Sequence, residues 1–424
     1  MQRRIMITGM GVISAIGQNI PEYGQSLRAG RCGIGTLKSV GEPAISVTMG
    51  AEIGNFSLET RLQQYAFLPE ALIQNAQQYA RRSPYAIQTS VVSALEAWEN
   101  AQLHENPISP ERLGIVIAGN NLSQHYQYDN YPKFQQTPEY LSPRYPLHFM
   151  DTDQVGTLSE LFHIQGEGFT VGGASASGNV AIIKGYQLIQ LGIVDACLVV
   201  GALADLSPME LQGFYNLGAM GGKRFVDEPE KACRPFDKDH EGFIYGQASG
   251  CMILESKESA ARRGVQGVAE ILGGAMILDG NRLTNPSEAG EIRVMELALT
   301  QAQIKANELD YLNAHGTSSP LGDETEIKAI RQVFQDHLSR LWINSTKGLT
   351  GHCLYSAGVV EAIASIIQMQ EGFVHPNINL DNPIDRACLF SGSVSAPEKI
   401  EIAMSNSFGF GGINSSIILK KGGE

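Results

Sequence analysis

Phe169-Thr-Val-Gly-Gly-Ala-Ser-Ala-Ser-Gly178 runs into Asn179-Val-Ala-Ile-Ile-Lys-Gly-Tyr-Gln-Leu-Ile-Gln-Leu191 and, after a short break, into Ala196-Cys-Leu-Val-Val200. The first segment reads as a strand end followed by a turn of small residues. The second sets Val180, Ile182, Ile183, Leu188 and Ile189 at helical spacing, and the third is a short apolar run bounded by charge and glycine, as a buried strand is. Strand, turn, helix and strand in succession make the unit of an α/β protein. The same signals recur outward. Ile5–Thr8, Leu113–Ile117, Cys251–Leu254 and Ile402–Met404 read as buried strands, and Gln88–Glu99, with Val91, Val92, Ala94, Leu95 and Trp98, reads as a helix. One stretch resists this pattern: Asn120–Pro146 holds five tyrosines without clean periodicity and is expected to be a surface insertion or dimer-contact loop.

The 424 residues make about three domain equivalents or one large unit with its own core. At 43% hydrophobic and 18% charged, with glycine and proline scattered, the composition excludes disordered and collagen-like chains. The 31 Lys and Arg against 44 Asp and Glu leave −13, which repels nucleic acid and anionic lipid, so an acidic partner needs a local basic patch. Six widely spaced cysteines without a CxxC pair disfavour structural zinc and a disulfide framework and fit a reducing cytoplasm. The start, Met1-Gln-Arg-Arg-Ile-Met-Ile-Thr-Gly9, carries no apolar signal region. Ala196–Ala204 is half the ~18 residues that cross a bilayer. No flexible linker divides the chain; Glu258–Gly264 is a charged junction between closely packed halves, expected at 1–257 and 258–424.

Four segments can carry chemistry. In Phe169–Gly178 the strand-to-helix elbow would expose Ser175 at the positive end of a helix dipole, although this segment taken alone fits plain N-caps at Ser175 and Ser177 better. Asp310-Tyr-Leu-Asn-Ala-His315 delivers a histidine from a strand into a turn, and Asn344-Ser-Thr-Lys347-Gly-Leu-Thr-Gly-His352 is a Gly-punctuated loop before the helix Gly358–Gln370. Ser405-Asn-Ser-Phe-Gly-Phe-Gly-Gly-Ile-Asn414 follows the last strand, its glycines allowing backbone N–H groups close to a ligand. No phosphate-binding, zinc-protease or dinucleotide motif is present.

In this order and spacing the segments resemble the β-ketoacyl-acyl carrier protein synthase family, the condensing enzymes of fatty acid and polyketide assembly. The likeness runs from Arg3-Arg-Ile-Met-Ile-Thr-Gly-Met-Gly-Val-Ile-Ser14, through Cys233-Arg-Pro-Phe-Asp-Lys-Asp-His-Glu-Gly-Phe243, to Asn406-Ser-Phe-Gly-Phe-Gly-Gly-Ile-Asn414. It implies a thiolase-type fold, two similar α/β halves in a five-layered α-β-α-β-α core, in a homodimer. The family's Cys-His-His constellation falls on Ser175, His315 and His352, so the nucleophile is changed. Its supporting lysine falls on Lys347 with Glu326 as the expected partner, its gating and oxyanion phenylalanine on Phe410, and its pantetheine-lining positions on Thr317 and Ser319. Gly172-Gly173 before the nucleophile and Gln247, where an acid is common, are departures.

The change to serine decides the expected chemistry. A hydroxyl ionises far less readily than a thiol, so acyl transfer onto Ser175 should be slow. Malonyl decarboxylation instead needs donors to the developing enolate oxygen, which His315 and His352 can supply at ~3 kcal/mol each. The resemblance therefore narrows to the free-standing serine variants of polyketide β-branching cassettes, which make acetyl-carrier protein for a hydroxymethylglutaryl-synthase-like partner. A condensing enzyme with a serine nucleophile and a non-catalytic chain-length-factor-like subunit are the rivals. Substrate would arrive on a carrier protein's phosphopantetheine arm, with no other cofactor and no metal. Arg81-Arg82 and Arg262-Arg263 are the expected docking pairs.

Overall fold

A computed structural model describes residues 3–38 and 44–423. Met1 and Gln2, at the start of the expected first half, and Glu424, at the end of the second, lie outside the described residues. Eleven strands form one continuous sheet order: β1 (Ile5–Ser14), β2 (Leu113–Ala118), β3 (Gly168–Val171), β4 (Ala196–Gly201), β5 (Ala248–Ser256), β6 (Ala269–Leu278), β7 (Tyr311–Asn313), β8 (Trp342–Asn344), β9 (Leu389–Phe390), β10 (Ile402–Gly409) and β11 (Ile413–Lys421). Their order is β9-β8-β7-β10-β11-β6-β1-β5-β4-β2-β3. Outward from the centre, β1-β5-β4-β2-β3 on one side repeats as β6-β11-β10-β7-β8 on the other. Parallel and antiparallel pairings match strand for strand. Among the described residues, the two runs of strands are joined where Ile5–Ile7 pairs with Ala269–Ile271.

Five helices build the layers: α1 (Tyr85–Asn100), α2 (Ser177–Gln190), α3 (Glu288–Ala302), α4 (Pro320–Phe334) and α5 (Ala357–Glu371). Strand side chains alternate between faces. In β4, Cys197 and Val199 join the inner core with Ile182, Ile183 and Ile189 of α2 and Ile363 and Ile367 of α5. Ala196, Leu198 and Val200 turn the other way, onto Val91, Leu95 and Trp98 of α1. Beyond the second run, α3 and α4 pack Val294, Met295, Ile327 and Ile330 against Leu312, Met404 and Ile418. The result is the expected five-layered α-β-α-β-α core, with α2 and α5 as the shared middle layer. These two helices touch backbone to backbone: a Cβ on Gly178 would lie 2.7 Å from Gly358 N.

Two expectations need correction. The tyrosine-rich stretch is not a loop: Gln124–Gln136 is helical, with Pro132 inside it, and Tyr145–His148 adds another turn. Proline within the helix and the absence of any buried residue on it removed the periodic signal. The apolar run Ile5–Thr8 is also too short a reading, because β1 continues through Gly9 and Gly11 to Ser14. Those glycines fit where α1 presses on the strand; a Cβ at Gly11 would sit 2.0 Å from Ser93 O. Among the described residues, no helix is long and apolar enough to cross a membrane.

Candidate active site

Ser175 sits in the short turn Ala174–Ala176 between β3 and α2, at the helix N-terminus. Ala174 before it is held at φ 47°, a left-handed conformation that costs a non-glycine residue ~1–3 kcal/mol. Ser177 makes that turn stable: its Oγ accepts the Gly173 N–H (2.9 Å) and donates to Ala174 O (2.7 Å). Of the two serines read as possible caps, Ser177 therefore ties the elbow, and Ser175 is free to project. The second half repeats the device, since Leu354 has φ 50° in the turn before α5. There Tyr355 stands where Ser175 does, and both line the same cavity.

Ser175 meets His352 across that cavity. His352 Nε2 lies 2.8 Å from Ser175 Oγ, and His352 Nδ1 accepts the Leu354 N–H at 3.2 Å. A ring nitrogen that accepts from a backbone N–H carries no proton, so the neutral ring holds its hydrogen on Nε2 and donates it to Ser175 Oγ. The His315 ring stands perpendicular to His352, centroids 5.6 Å apart, and packs on Phe408. Burial, then the Lys347 ammonium, holds both imidazoles well below the ordinary histidine range; His352 itself adds to the effect on His315. Both rings are therefore neutral at physiological pH.

The loop carrying His315 is gripped from both sides. Glu326, buried on α4, accepts the N–H groups of His315 and Gly316, each at 2.8 Å. Burial pushes its carboxyl up to about 7 while those two N–H groups pull it down. Lys347 Nζ donates to His315 O at 2.6 Å. The expected pairing of Lys347 with Glu326 is not what forms. The lysine's carboxylate is Glu361 on α5, 2.5 Å away, with both side chains buried. Sequence reading missed Glu361, whose signal was an acid within the otherwise apolar run Ala357-Gly-Val-Val-Glu-Ala-Ile-Ala364 that opens the helix.

A cavity of about 680 Å³ is lined by Ser175, His315, His352, Thr317, Ser319 and Phe410. Thr317 and Ser319 bond each other through their hydroxyls at 2.8 Å. Phe410 is 39% exposed, on the glycine loop between β10 and β11. A Cβ on Gly409 would strike Gly173 O at 2.5 Å, so that loop lies directly on the Ser175 elbow. Glu291 of α3 also reaches the cavity wall; it is buried, its Oε2 has no partner, and burial drives its carboxyl well above the usual range. Gln247 accepts the Ile53 N–H at 3.0 Å, a structural bond.

The basic pairs divide. Arg81 and Arg82 are exposed at the end of the helix Glu70–Ala80. Arg263 cannot dock a partner, because its side chain is buried on Glu255 (2.9 Å) and on backbone carbonyls. Arg262 leans on Asp195 at 3.6 Å. Glu255 is also near the end of β5 remote from Gly246, which bonds His352 O. The strand puts about 26 Å between the Arg262-Arg263 corner and the cavity end.

Two family models match the chain. "Beta-ketoacyl synthase, N-terminal domain" matches residues 2–260 and "Beta-ketoacyl synthase, C-terminal domain" matches 268–381. The chain is 40% identical to "Polyketide biosynthesis malonyl-ACP decarboxylase PksF" of Bacillus subtilis (strain 168), over 99% of this chain and 98% of that protein. It is 31% identical to "3-oxoacyl-[acyl-carrier-protein] synthase 2" of Coxiella burnetii, over 99% of each. Among solved structures, "The ishigamide ketosynthase/chain length factor" superposes with TM-score 0.87 at 27% identity over 100% of both chains. A β-ketoacyl synthase from Burkholderia phymatum STM815 superposes with TM-score 0.83 at 29% identity over 99% of each. The chain belongs to the β-ketoacyl synthase family and has its thiolase-type fold.

Proposed function

We propose that this chain is a malonyl-acyl carrier protein decarboxylase of polyketide biosynthesis, converting a carrier-bound malonyl thioester to the acetyl thioester. The observation that carries the proposal is the Leu354 N–H bond to His352 Nδ1, which assigns the ring's proton to Nε2, facing the Ser175 hydroxyl. A general base for serine attack would need that nitrogen bare, so His352 is set to donate and not to receive. Donation is what decarboxylation needs. As the C2–carboxylate bond breaks, charge builds on the thioester oxygen, and the N–H groups of His352 and His315 take it up. Both imidazoles stay neutral beside buried Lys347, and a neutral imidazole with its N–H turned to the cavity is the donor this step uses.

Ser175, His315 and His352 are the side chains that touch the reacting malonyl group in this scheme. Lys347 and Glu326 are positioning residues that fix the His315 backbone, and Glu361 supplies the countercharge. Backbone N–H groups at Ser175 and Phe410 form the oxyanion hole, Phe410 gates the cavity, and Thr317 and Ser319 line the pantetheine arm. The arm belongs to the carrier, and no further cofactor or metal enters the scheme. Arg81 and Arg82 are the pair that docks the carrier, and Arg262 and Arg263 take no part in docking. The halves 1–257 and 258–424 act as one cytoplasmic enzyme. Strand β3, an edge strand only half-buried, pairs with a second copy in a homodimer. The acetyl product feeds a hydroxymethylglutaryl-synthase-like enzyme in β-branching.

Purified protein mixed with malonyl-loaded carrier and weighed by mass spectrometry tests this. Acetyl-carrier is the expected product. Unchanged malonyl-carrier would mean a non-catalytic subunit, and an acyl adduct on Ser175 with an elongated chain would mean a condensing enzyme.

A further inference from the structure

We infer that the Ser175 hydroxyl is the group that protonates C2 of the enolate, giving this chain's serine a catalytic task of its own. The inference rests on the decarboxylation proposed above and assigns the one proton transfer that reaction still lacks. Among the described residues, Ser175 Oγ makes one hydrogen bond, the one with His352 Nε2. In it Oγ is the acceptor, because the His352 hydrogen is on Nε2. The hydroxyl's own hydrogen is thus spent on no protein group, and the side chain lines the cavity.

Geometry places C2 within its reach. The enolate oxygen sits within hydrogen-bond distance of His352 Nε2, as Oγ does, and C2 is two bonds from that oxygen. When the enolate oxygen takes over the Nε2–H bond, Oγ loses its donor and remains beside C2. Two other acids on the cavity wall are held by bonds of their own, and the rival donor is Glu291, whose Oε2 has no partner among the described residues. Glu326 holds the His315 and Gly316 N–H groups. Asp323 accepts the Phe236 N–H and faces His240.

The step balances with water as co-reactant. Loss of CO2 leaves its bonding electron pair in the enolate. That pair takes the proton from Oγ, forming the new C2–H bond as the O–H bond breaks. A cavity water returns a proton to Oγ, and the resulting hydroxide adds to CO2. The sum is malonyl thioester and water giving acetyl thioester and hydrogencarbonate.

Proton origin is read by running the reaction in an equal mixture of H2O and D2O and weighing the acetyl methyl group on the carrier. The H:D ratio reports the group that delivered the proton, independently of rate. Ser175→Ala, which leaves water to deliver it, is expected to shift the ratio from that of the native protein. Ser175→Cys is expected to shift it toward protium, since thiols hold less deuterium than hydroxyls in mixed water. The same H:D ratio in all three proteins would overturn the assignment and leave decarboxylation standing. Failure of the native protein to form acetyl-carrier would overturn the decarboxylation proposal itself, and this inference with it.

Discussion

Glu361→Gln is the sharpest perturbation of the scaffold behind the site. Lys347 Nζ is wholly buried and has two acceptors, Glu361 Oε1 at 2.5 Å and His315 O at 2.6 Å. The substitution keeps shape and removes the countercharge, leaving an ammonium in the core against neutral acceptors alone. Breaking a buried pair in this way costs ~3–5 kcal/mol, a large part of the ~5–15 kcal/mol that folded chains possess. Lys347→Met alone strands the carboxylate, which Asn313 Nδ2 meets only at 3.4 Å, and a similar loss is expected. Together the two changes remove both charges, so the double variant should lose less than the sum by ~2 kcal/mol or more. Urea unfolding of the four proteins, compared at constant slope, measures this. A loss below ~1 kcal/mol for Glu361→Gln, or strict additivity in the cycle, would refute the pairing.

Histidine-selective 15N spectra should show His352 neutral with its proton on Nε2, and still untitrated well below the ~6.5 of a free side chain. Since the unfolded chain takes up protons there that the fold refuses, stability should fall as pH drops through about 6.5; a His352 titration near 6.5 would contradict the depressed basicity. Glu291→Gln should stabilise the protein increasingly as pH rises. The fold keeps a proton that the unfolded chain releases above about 4.3, and the gap should grow by up to ~1.4 kcal/mol per pH unit. A pH-independent difference in urea midpoints would show Glu291 ionised in the fold. Arg81→Glu with Arg82→Glu should raise KM for malonyl-carrier and leave turnover at saturation in place, whereas Arg262→Glu should do neither. Equal KM changes from both would return the second corner to consideration.

Strands bounded by charge or glycine were legible because a short all-apolar run between such residues suits little besides a strand buried on both faces, as Ala196–Val200 illustrates. The elbow was legible as a place from its local pattern, and the resemblance picked Ser175 over Ser177 without giving the physical reason. That choice depends on φ at Ala174 and on which hydroxyl closes back on the turn. Partners across the fold were the least legible. Lys347 finds Glu361 only because α5 runs beneath the His315 loop, and Glu326 turns to backbone N–H groups that no side-chain pattern announces. Arg262-Arg263 failed for a related reason: two adjacent arginines look alike in sequence, while one is buried on Glu255 and the other leans on Asp195.

Central to the account is that CO2 loss depends on two imidazole donors more than on the residue at the nucleophile position. Initial rates of CO2 release from malonyl-carrier, measured side by side for His315→Ala, His352→Ala and Ser175→Ala, test this most directly. Each histidine variant is expected to be slower by ~10²–10³, the loss of one donor to a developing oxyanion, and Ser175→Ala by less than about tenfold. If Ser175→Ala abolished release while either histidine variant kept it, enolate stabilisation by the histidine pair would be contradicted.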